Sequence, residues 1–322
     1  MVIKKFSFGI YFLMGFFLMG FNGVLESEPP LKMNGETPKI LEIGYSVPVS
    51  RIRLDKMEKA YQAGIRHVEA SGMNIFFDKN GDFVKPEEEV EAIMKSAKEA
   101  ADQAGINIWS IHMPFSEAMD LSKADENERK RVVEGHVKLL KFLKILEPEV
   151  ILFHPSYYLD PPGQREIRKN QLIKSVKELN VEVSEMGAQM VVENMLGPKL
   201  MKGDVERPLL RTVEETMELF DRFPSAVGLA IDMNHIKNPE ILIRRMGHRL
   251  KTIHVADGTG EAEDHFFPCS GEGQNDWNAI LSALDEVKYD GPFVFESAYD
   301  SEEELVKCYR ENLYRNYRNS LD

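Results

Sequence analysis

Histidine and acidic residues recur at the ends of short apolar segments, and these residue types bind divalent cations or transfer protons. Five of the eight histidines lie at such ends or just after them: His112, His154, His235, His254 and His265. Acidic residues hold the equivalent places in other segments: Glu69, Glu193, Asp232 and Glu296. Carboxylates and imidazoles crowded into one buried place need a cation to offset their charge and desolvation. The sequence therefore predicts a divalent metal centre, provided that the fold brings these segments together.

Apolar β-type runs alternate with amphipathic helical stretches from Lys39 onward, and this alternation indicates the fold class. The predicted strands are Ile40–Ser46, Ile65–Ala70, Ile106–His112, Val150–His154, Gln189–Glu193, Val227–Asp232, Thr252–Val255 and Phe293–Glu296. The clearest helical patterns are Glu87–Ala104, Asn127–Ile145, Glu166–Met186, Thr212–Phe223, Trp277–Val287 and Glu302–Asn319. Eight strand–helix alternations favour parallel pairing in a closed (β/α)8 barrel. An open doubly wound sheet is the alternative, but its Gly-rich phosphate turn does not follow the first strand.

The predicted barrel brings the chemical groups together. The carboxyl ends of its strands meet at one mouth, where barrel enzymes carry their active sites. Four consecutive predicted strands end in or contain Glu193, Asp232, His254 and Glu296. Mixed oxygen and nitrogen ligands of this kind suit Mn²⁺, Co²⁺, Zn²⁺ or Mg²⁺. A cation held there can polarise a carbonyl or hydroxyl group, and Glu193 and Glu296 could act as acid and base on opposite faces of a substrate.

A structural role is the alternative for any single residue of this set. A histidine at a strand end often only hydrogen-bonds a loop, and buried acids often pair with neighbouring groups. We expect such roles, or surface positions, for the histidines away from the predicted strand ends, which are His67, His136 and His248. Glu69, which ends the second predicted strand, is expected to contact substrate.

The first 25 residues have the pattern of a secretory signal peptide, with Lys4 and Lys5 before an apolar run over residues 6–21. The run is shorter than the roughly 20 residues of a spanning helix, although an uncleaved anchor is an alternative. Residues 26–38 are rich in Pro and Glu and are expected to form a linker before a single barrel domain over residues 39–322. We therefore expect an exported protein, periplasmic or secreted.

Charge and cysteine content limit the classes of partner. The 53 acidic and 40 basic residues give a net charge of −13, which disfavours nucleic acid and does not hinder a neutral sugar. The two cysteines, Cys269 and Cys308, cannot build a disulfide framework or a cysteine-based zinc site. We expect two free thiols, with one disulfide as the alternative outside the cytosol. The oligomeric state is left open, a homo-oligomer included.

Several motifs resemble the xylose isomerase-like TIM barrel superfamily, which contains sugar and sugar-phosphate isomerases and epimerases and also endonuclease IV. They are Asp232-x-x-His235, the strand carrying His254, the segment Gly271–Trp277 and Glu296 at the last strand. The resemblance covers nearly everything after the linker. It implies one divalent metal ion held by Glu193, Asp232, His254 and Glu296.

The resemblance to the ketose epimerases also implies a mechanism. Glu193 and Glu296 would abstract and return a proton next to the sugar carbonyl through a metal-bound enediolate. The residues expected to contact the substrate are His235, His265, His112, His154 and Glu69. The resemblance therefore implies a metal-dependent sugar isomerase or epimerase whose partner is a small sugar or sugar derivative.

Two other functions stay open. Endonuclease IV, a metal-dependent phosphodiesterase, has a three-zinc site, and His112 and His154 resemble its extra histidine ligands. That enzyme has Asp-x-His after the seventh strand, where this chain has Glu263-Asp264-His265, so either Glu263 substitutes or the third site is incomplete. The predicted export and the acidic surface favour the sugar enzyme. A non-catalytic sugar-binding barrel is a further alternative.

Overall fold

The computed structural model describes residues 38–321, so the predicted signal peptide and residues 26–37 of the predicted linker lie outside the described residues. Within that range, eight parallel strands close into one barrel. They are β1 (Ile43–Pro48), β2 (His67–Ser71), β3 (Asn107–His112), β4 (Val150–Phe153), β5 (Gln189–Glu193), β6 (Gly228–Asp232), β7 (Leu250–Val255) and β8 (Phe293–Phe295). Each strand pairs with its neighbours in sequence, and β8 closes on β1 with Ile43 opposite Phe293. The predicted (β/α)8 barrel is confirmed.

Helices connect successive strands on the outside of the barrel. They are α1 (Leu54–Ala63), α2 (Glu87–Ala104), α3 (Glu126–Leu143), α4 (Arg165–Glu185), α5 (Val213–Phe220), α6 (Pro239–Met246), α7 (Trp277–Glu286), α8 (Glu302–Lys307) and α9 (Tyr314–Ser320). A π-helical turn, Cys308–Leu313, joins α8 to α9. A small antiparallel hairpin, Met201–Lys202 with Val205–Glu206, lies in the loop after β5. Between residues 38 and 321, the structure shows no helix long and apolar enough to cross a membrane.

The helix ends follow local sequence signals. Three glutamates, Glu87–Glu89, form the first turn of α2, where negative charge is favoured by the helix dipole. The same helix ends at Gly105, whose φ of 74° lies in the left-handed region that favours glycine. The side chain of Asp276 caps α7 by accepting a hydrogen bond from the backbone N–H of Ala279. These ends set where each chain segment enters and leaves the barrel.

The interior of the barrel changes from apolar to charged along the strands. Residues two apart on a strand point to the same side, so Val191 and Glu193 share one face of β5, as Ala230 and Asp232 do on β6. The deeper positions form a small apolar cluster, made of Val150, Leu152, Val191 and Ala230. The ionisable side chains, such as Glu193 and Asp232, lie two residues further along each strand, toward its carboxyl end. The barrel axis is therefore filled by hydrophobic packing, and the buried charges collect at the mouth, formed by the carboxyl ends of the strands.

The two cysteines are joined in a disulfide, so the expectation of two free thiols was wrong. Cys269 lies in the loop after β7, and Cys308 begins the π-helical turn after α8. Their Cα atoms are 5.8 Å apart although 39 positions separate them in sequence. Sequence separation carries no information about this distance, because only barrel closure brings the two segments side by side.

Candidate active site and metal centre

Four strand ends bring carboxylate and imidazole groups to one point of the mouth. Glu193 and Asp232 are the last residues of β5 and β6, His254 lies in β7, and Glu296 directly follows β8. One ligand atom of each residue lies within 4.8 Å of those of the others. Glu296 is the most accessible of the four, since its side chain is 25% exposed. The arrangement can hold a divalent cation and leaves one side open toward a substrate.

Buried opposite charges set the protonation of this group. The Nδ1 atom of His254 lies 2.6 Å from Oε2 of Glu296 and 3.5 Å from Oε1 of Glu193. Burial opposes the charged imidazolium, but the neighbouring carboxylates, Glu296 foremost, raise the pKa of His254 well above its ordinary value. Burial likewise opposes the carboxylate of Glu296, yet His254 lowers its pKa to about 2.

Glu193 is affected in the same way as Glu296. Burial acts against its charged form, but the imidazoles of His154 and His254 outweigh burial and hold the pKa of Glu193 well below its ordinary value. Asp232 differs, because burial dominates and raises its pKa despite the attraction of His235. Glu193 and Glu296 are therefore ionised near neutral pH, which is the form that binds cations.

The hydrogen-bond pattern tests whether a cation fits these residues. Among residues 38–321, the buried atoms Glu193 Oε2, Asp232 Oδ2 and His254 Nδ1 make no hydrogen bond of good geometry. Two of them nevertheless have a close charged neighbour, since Glu193 Oε2 lies 2.9 Å from His154 Nε2 and His254 Nδ1 lies 2.6 Å from Glu296 Oε2. Buried polar atoms are rarely left unpaired in native proteins. Three of the four candidate ligands carry such an atom, and all three atoms lie in the same cluster. The donor set fits a divalent metal ion bound by Glu193, Asp232, His254 and Glu296.

Glu69, one of the predicted substrate contacts, lies beside the Nε2 atom of His254. Its side chain is 0% exposed, as are those of Asp232 and His254. Its Oε2 atom accepts a hydrogen bond from Ser110 Oγ at 2.8 Å and lies 3.0 Å from His254 Nε2. A carboxylate on one ring nitrogen of a histidine orients the other nitrogen toward a metal. The geometry assigns Glu69 to the orientation of His254.

A second cluster lies beside Glu193, on the side of β3 and β4. His154 Nε2 is 2.9 Å from Glu193 Oε2, and His112 Nε2 is 3.8 Å from the same oxygen. The two imidazole rings are 4.8 Å apart. Burial lowers the pKa of His154 despite the attraction of Glu193, so its ring is neutral near pH 7 and can accept a hydrogen bond or bind a metal.

A third cluster lies on the other side, at the loop after β7. Glu263 Oε2 lies 3.3 Å from His235 Nε2 and 3.4 Å from His265 Nε2, and His235 Nε2 is 3.4 Å from Asp232 Oδ2. Burial disfavours both imidazolium ions, but Asp232 and Glu263 raise the pKa of His235 to about 10. Burial is also outweighed at His265, where Glu263 and Asp232 raise the pKa to about 9. One carboxylate oxygen of Glu263 therefore bridges the imidazole rings of His235 and His265.

The loop after β7 is held in place by residues that the sequence did not single out. The Oδ1 atom of Asn234 accepts hydrogen bonds from the backbone N–H groups of Asp264 and His265 at 3.0 and 3.2 Å. These bonds fix His265 in a left-handed conformation, with φ of 45°. A non-glycine residue in this region is uncommon and often marks a functional position. Asn234 lies between Asp232 and His235, and this position is the signal that could have identified it.

Asp257 anchors the motif before α7. Its Oδ1 accepts hydrogen bonds from Gly258 N–H and Asn275 N–H at 2.8 and 3.0 Å, and its Oδ2 accepts one from Trp277 Nε1 at 3.0 Å. A Cβ atom at Gly273 would overlap the carboxylate of Asp257, so glycine is required there. The segment Gly271–Trp277 therefore supports the mouth by folding around a buried carboxylate.

The remaining histidines have the structural or surface positions expected of them. His67 pairs with Glu42 at 2.8 Å, near the start of β2. His136 is buried in α3, and His248 is exposed. All three lie outside the three groups of candidate metal-binding residues.

Comparison with known proteins places the chain in a family. Residues 57–316 match the family model described as xylose isomerase-like TIM barrel. An uncharacterized protein of Methanocaldococcus jannaschii is 26% identical over 182 residues, which cover 56% of this chain and 66% of that protein. The match thus spans slightly under two thirds of that relative.

Solved structures share the fold at low sequence identity. A D-tagatose 3-epimerase-like protein has a TM-score of 0.68 and 20% identity, covering 87% of this chain and 99% of that one. A D-psicose 3-epimerase, solved in the presence of D-fructose, has a TM-score of 0.62 and 16% identity, covering 87% and 97%. One of these structures is thus a sugar 3-epimerase, and the other is described as similar to one.

Proposed function

The chain belongs to the xylose isomerase-like TIM barrel family, and we propose that it is a divalent-metal-dependent sugar isomerase or epimerase. The observation that supports this proposal is the pair Glu193 and Glu296 within one four-residue ligand group, each with a lowered pKa. The similarity in fold to sugar 3-epimerases also supports it. A small neutral sugar is compatible with the acidic chain, whose net charge is −13.

The residues divide the chemistry between them. Glu193, Asp232, His254 and Glu296 would hold the cation. When bound, a divalent cation supplies Lewis-acid polarisation of a sugar carbonyl or hydroxyl group. One glutamate removes the proton from the carbon next to the carbonyl, and the electron pair moves onto the carbonyl oxygen. The other glutamate, which is ionised in the resting site, would first have to take up a proton. It would then return this proton to the opposite face as the electron pair moves back to the carbon, and the carbon would be inverted.

The neighbouring residues position these groups. Glu69 fixes the ring of His254, which lies against both glutamates. His235 and His265 carry raised pKa values, so as imidazolium ions they can donate hydrogen bonds to sugar oxygens. His112 and His154 lie on the opposite side of Glu193 and can contact the other end of the sugar.

The test is turnover of a panel of ketoses by protein loaded with Mn²⁺, Co²⁺, Zn²⁺ or Mg²⁺. Glu193→Gln and Glu296→Gln should each reduce kcat by about 100-fold or more, the usual range for loss of a general acid or base. His248→Gln, at an exposed position away from the mouth, is the matched control and should keep full activity. Wild-type turnover in Glu296→Gln would contradict the assignment.

A metal-dependent phosphodiesterase of the endonuclease IV type is the second candidate. The specific observation in its favour is that Glu263 lies within 3.4 Å of both His235 and His265, next to a ligand group that is itself flanked by His112 and His154. Several metal ions close together are suited to phosphate-ester cleavage. Elemental analysis separates the two candidates: about one divalent ion per chain supports the sugar enzyme. About three zinc ions, with cleavage of abasic-site DNA that is lost in His112→Ala, would support the phosphodiesterase.

A further inference from the structure

A cleft of about 310 Å³ opens beside the mouth and is not part of the metal centre. Tyr157 and Tyr158, from the loop after β4, line this cleft. Arg168 of α4, Asp120 of the loop after β3 and Lys202 of the small hairpin also line it. Its volume lies within the range of small-molecule binding sites.

Aromatic contacts connect this cleft to the metal centre. Tyr157 lines the cleft, and its ring centroid lies 5.5 Å from that of Phe115. The Phe115 ring lies 3.9 Å from the ring of His154, which contacts Glu193 at 2.9 Å. A ligand that extends from the metal centre past His154 would therefore run along a continuous aromatic surface into the cleft.

The wall of the cleft contains a buried, rigid polar group. Arg168 and Asp120 are 6% and 3% exposed and form an ion pair with a 2.8 Å N–O distance. Arg168 also donates a hydrogen bond to the carbonyl oxygen of Asp160 at 3.1 Å. Its Nε atom has no hydrogen-bond partner in the part of the chain that the structure describes. An ion pair held from several sides changes little on binding, so the cleft keeps its shape without a ligand.

The edge of the cleft combines a flat ring with a cation. Lys202 Nζ lies 3.0 Å from the Tyr158 hydroxyl and 4.7 Å from the centre of the Tyr158 ring. Tyrosine presents an apolar face and a polar hydroxyl group. A sugar ring has the matching surfaces, since its C–H groups pack on aromatic faces while its hydroxyl groups bind charged and polar side chains.

The charged side chains that line the cleft favour a neutral ligand over a phosphorylated one. The lining of the cleft contains three acidic and three basic side chains: Glu117, Asp120, Asp160, Lys123, Arg168 and Lys202. A phosphate-binding groove carries an excess of basic residues. We infer that this cleft binds a second, uncharged sugar ring, so that the substrate is a disaccharide or glycoside instead of a free monosaccharide. The inference rests on the proposed function and names its substrate class.

The test compares D-fructose with two fructose disaccharides, isomaltulose (glucose on O6) and lactulose (galactose on O4). We expect the wild-type protein to have a kcat/KM about tenfold higher for at least one disaccharide than for fructose, as one aromatic contact can provide. Tyr158→Ala should lower this ratio toward one. Lys202→Gln should also lower the disaccharide-to-fructose ratio of kcat/KM. Because Lys202 is exposed, this variant tests the cleft even if Tyr158→Ala fails to fold. Tyr61→Ala, a half-exposed tyrosine of α1, is the control and should keep the wild-type ratio.

Calorimetric binding separates failure of the cleft from failure of the proposed function. If fructose is turned over and neither disaccharide binds more tightly than fructose, the second-ring site is overturned while the proposed function stands. If no ketose is turned over but a disaccharide binds to wild-type protein and not to Tyr158→Ala, the cleft is supported and the proposed isomerase or epimerase activity fails. An unchanged disaccharide-to-fructose ratio in both variants also overturns the site.

Discussion

Among single side chains, Glu69 can influence the candidate metal centre through its contact with His254. It is fully buried and contacts the nitrogen of His254 that faces away from the ligand group. Loss of such a carboxylate typically costs 10–100-fold in metal affinity. We therefore expect Glu69→Ala to weaken Mn²⁺ binding by about tenfold or more, and Glu69→Gln to weaken it less.

Competition with a chelator measures this change without requiring activity. Glu42→Gln is the control, because Glu42 pairs with a histidine, His67, at the start of β2 and should leave the affinity unchanged. Equal Mn²⁺ affinity in wild type and Glu69→Ala would show that Glu69 only fills space.

His136 is a buried base whose protonation opposes folding. Its ring packs on Phe153, and burial lowers its pKa to about 4 despite a contact with the carbonyl oxygen of Met119. The unfolded chain, with a histidine pKa near 6.5, binds the proton more readily than the folded chain. The free energy of unfolding should therefore be unaffected above about pH 6.5 and fall as the pH drops toward 4, by up to about 3 kcal/mol.

The pH effect is measured by urea unfolding at pH 7.5 and pH 5 in the presence of a chelator. His136→Phe removes the titrating group and should show a smaller loss of stability between the two pH values than the wild-type protein. The same loss in both proteins would contradict the assignment to His136.

Among the secondary-structure elements, the π-helical turn matters because a disulfide ties it to the loop after β7. The bond closes a segment of 39 residues, and crosslinks of this kind stabilise a protein by about 3 kcal/mol. Cys308→Ser should lower the free energy of unfolding by about that amount. It should also raise hydrogen exchange in the loop around His265, which Cys269 helps to hold. Thiol titration of unreduced protein should detect no free thiol, and two reactive thiols would contradict the bond.

The elements also show what a sequence can and cannot predict. The parallel strands were identified within a few residues because they are buried on both sides and form short continuous apolar runs. The helices α1 and α6 were not among the clearest helical patterns, since they have 10 and 8 residues and give weaker periodic signals. The small hairpin after β5 was also not predicted, because two-residue strands carry no pattern.

The barrel as a whole accounts for what the sequence indicates about the site. Closure brings strand ends together, so residue types at those ends were enough to name the four candidate ligands, whose ligand atoms lie close together in the structure. The roles of Glu69 and Cys269 could not be predicted in this way. Both depend on distances across the barrel wall, Glu69 to His254 and Cys269 to Cys308, which no local pattern encodes.

The closed barrel also predicts that metal binding stabilises the fold. The four ligands come from four different strand ends, so a bound cation links β5, β6, β7 and the end of β8. At a concentration 100 times the Kd, a ligand that binds only the folded state adds about 2.7 kcal/mol. The Tm should rise with added Mn²⁺ and fall with chelator, and Asp232→Asn should lose most of this shift. An equal Tm with metal and with chelator would contradict the proposed site.

Glu193 belongs to two groups of candidate ligands, one with His112 and His154 and one with His254. Asp232 is likewise shared between the central group and the one with His235. Two cations bound at neighbouring groups would then share one carboxylate. Each cation would change the affinity of the other site, and the factor would be the same for both sites. Stepwise loading would be cooperative, positively or negatively, and the metal that arrives first would decide which metal follows.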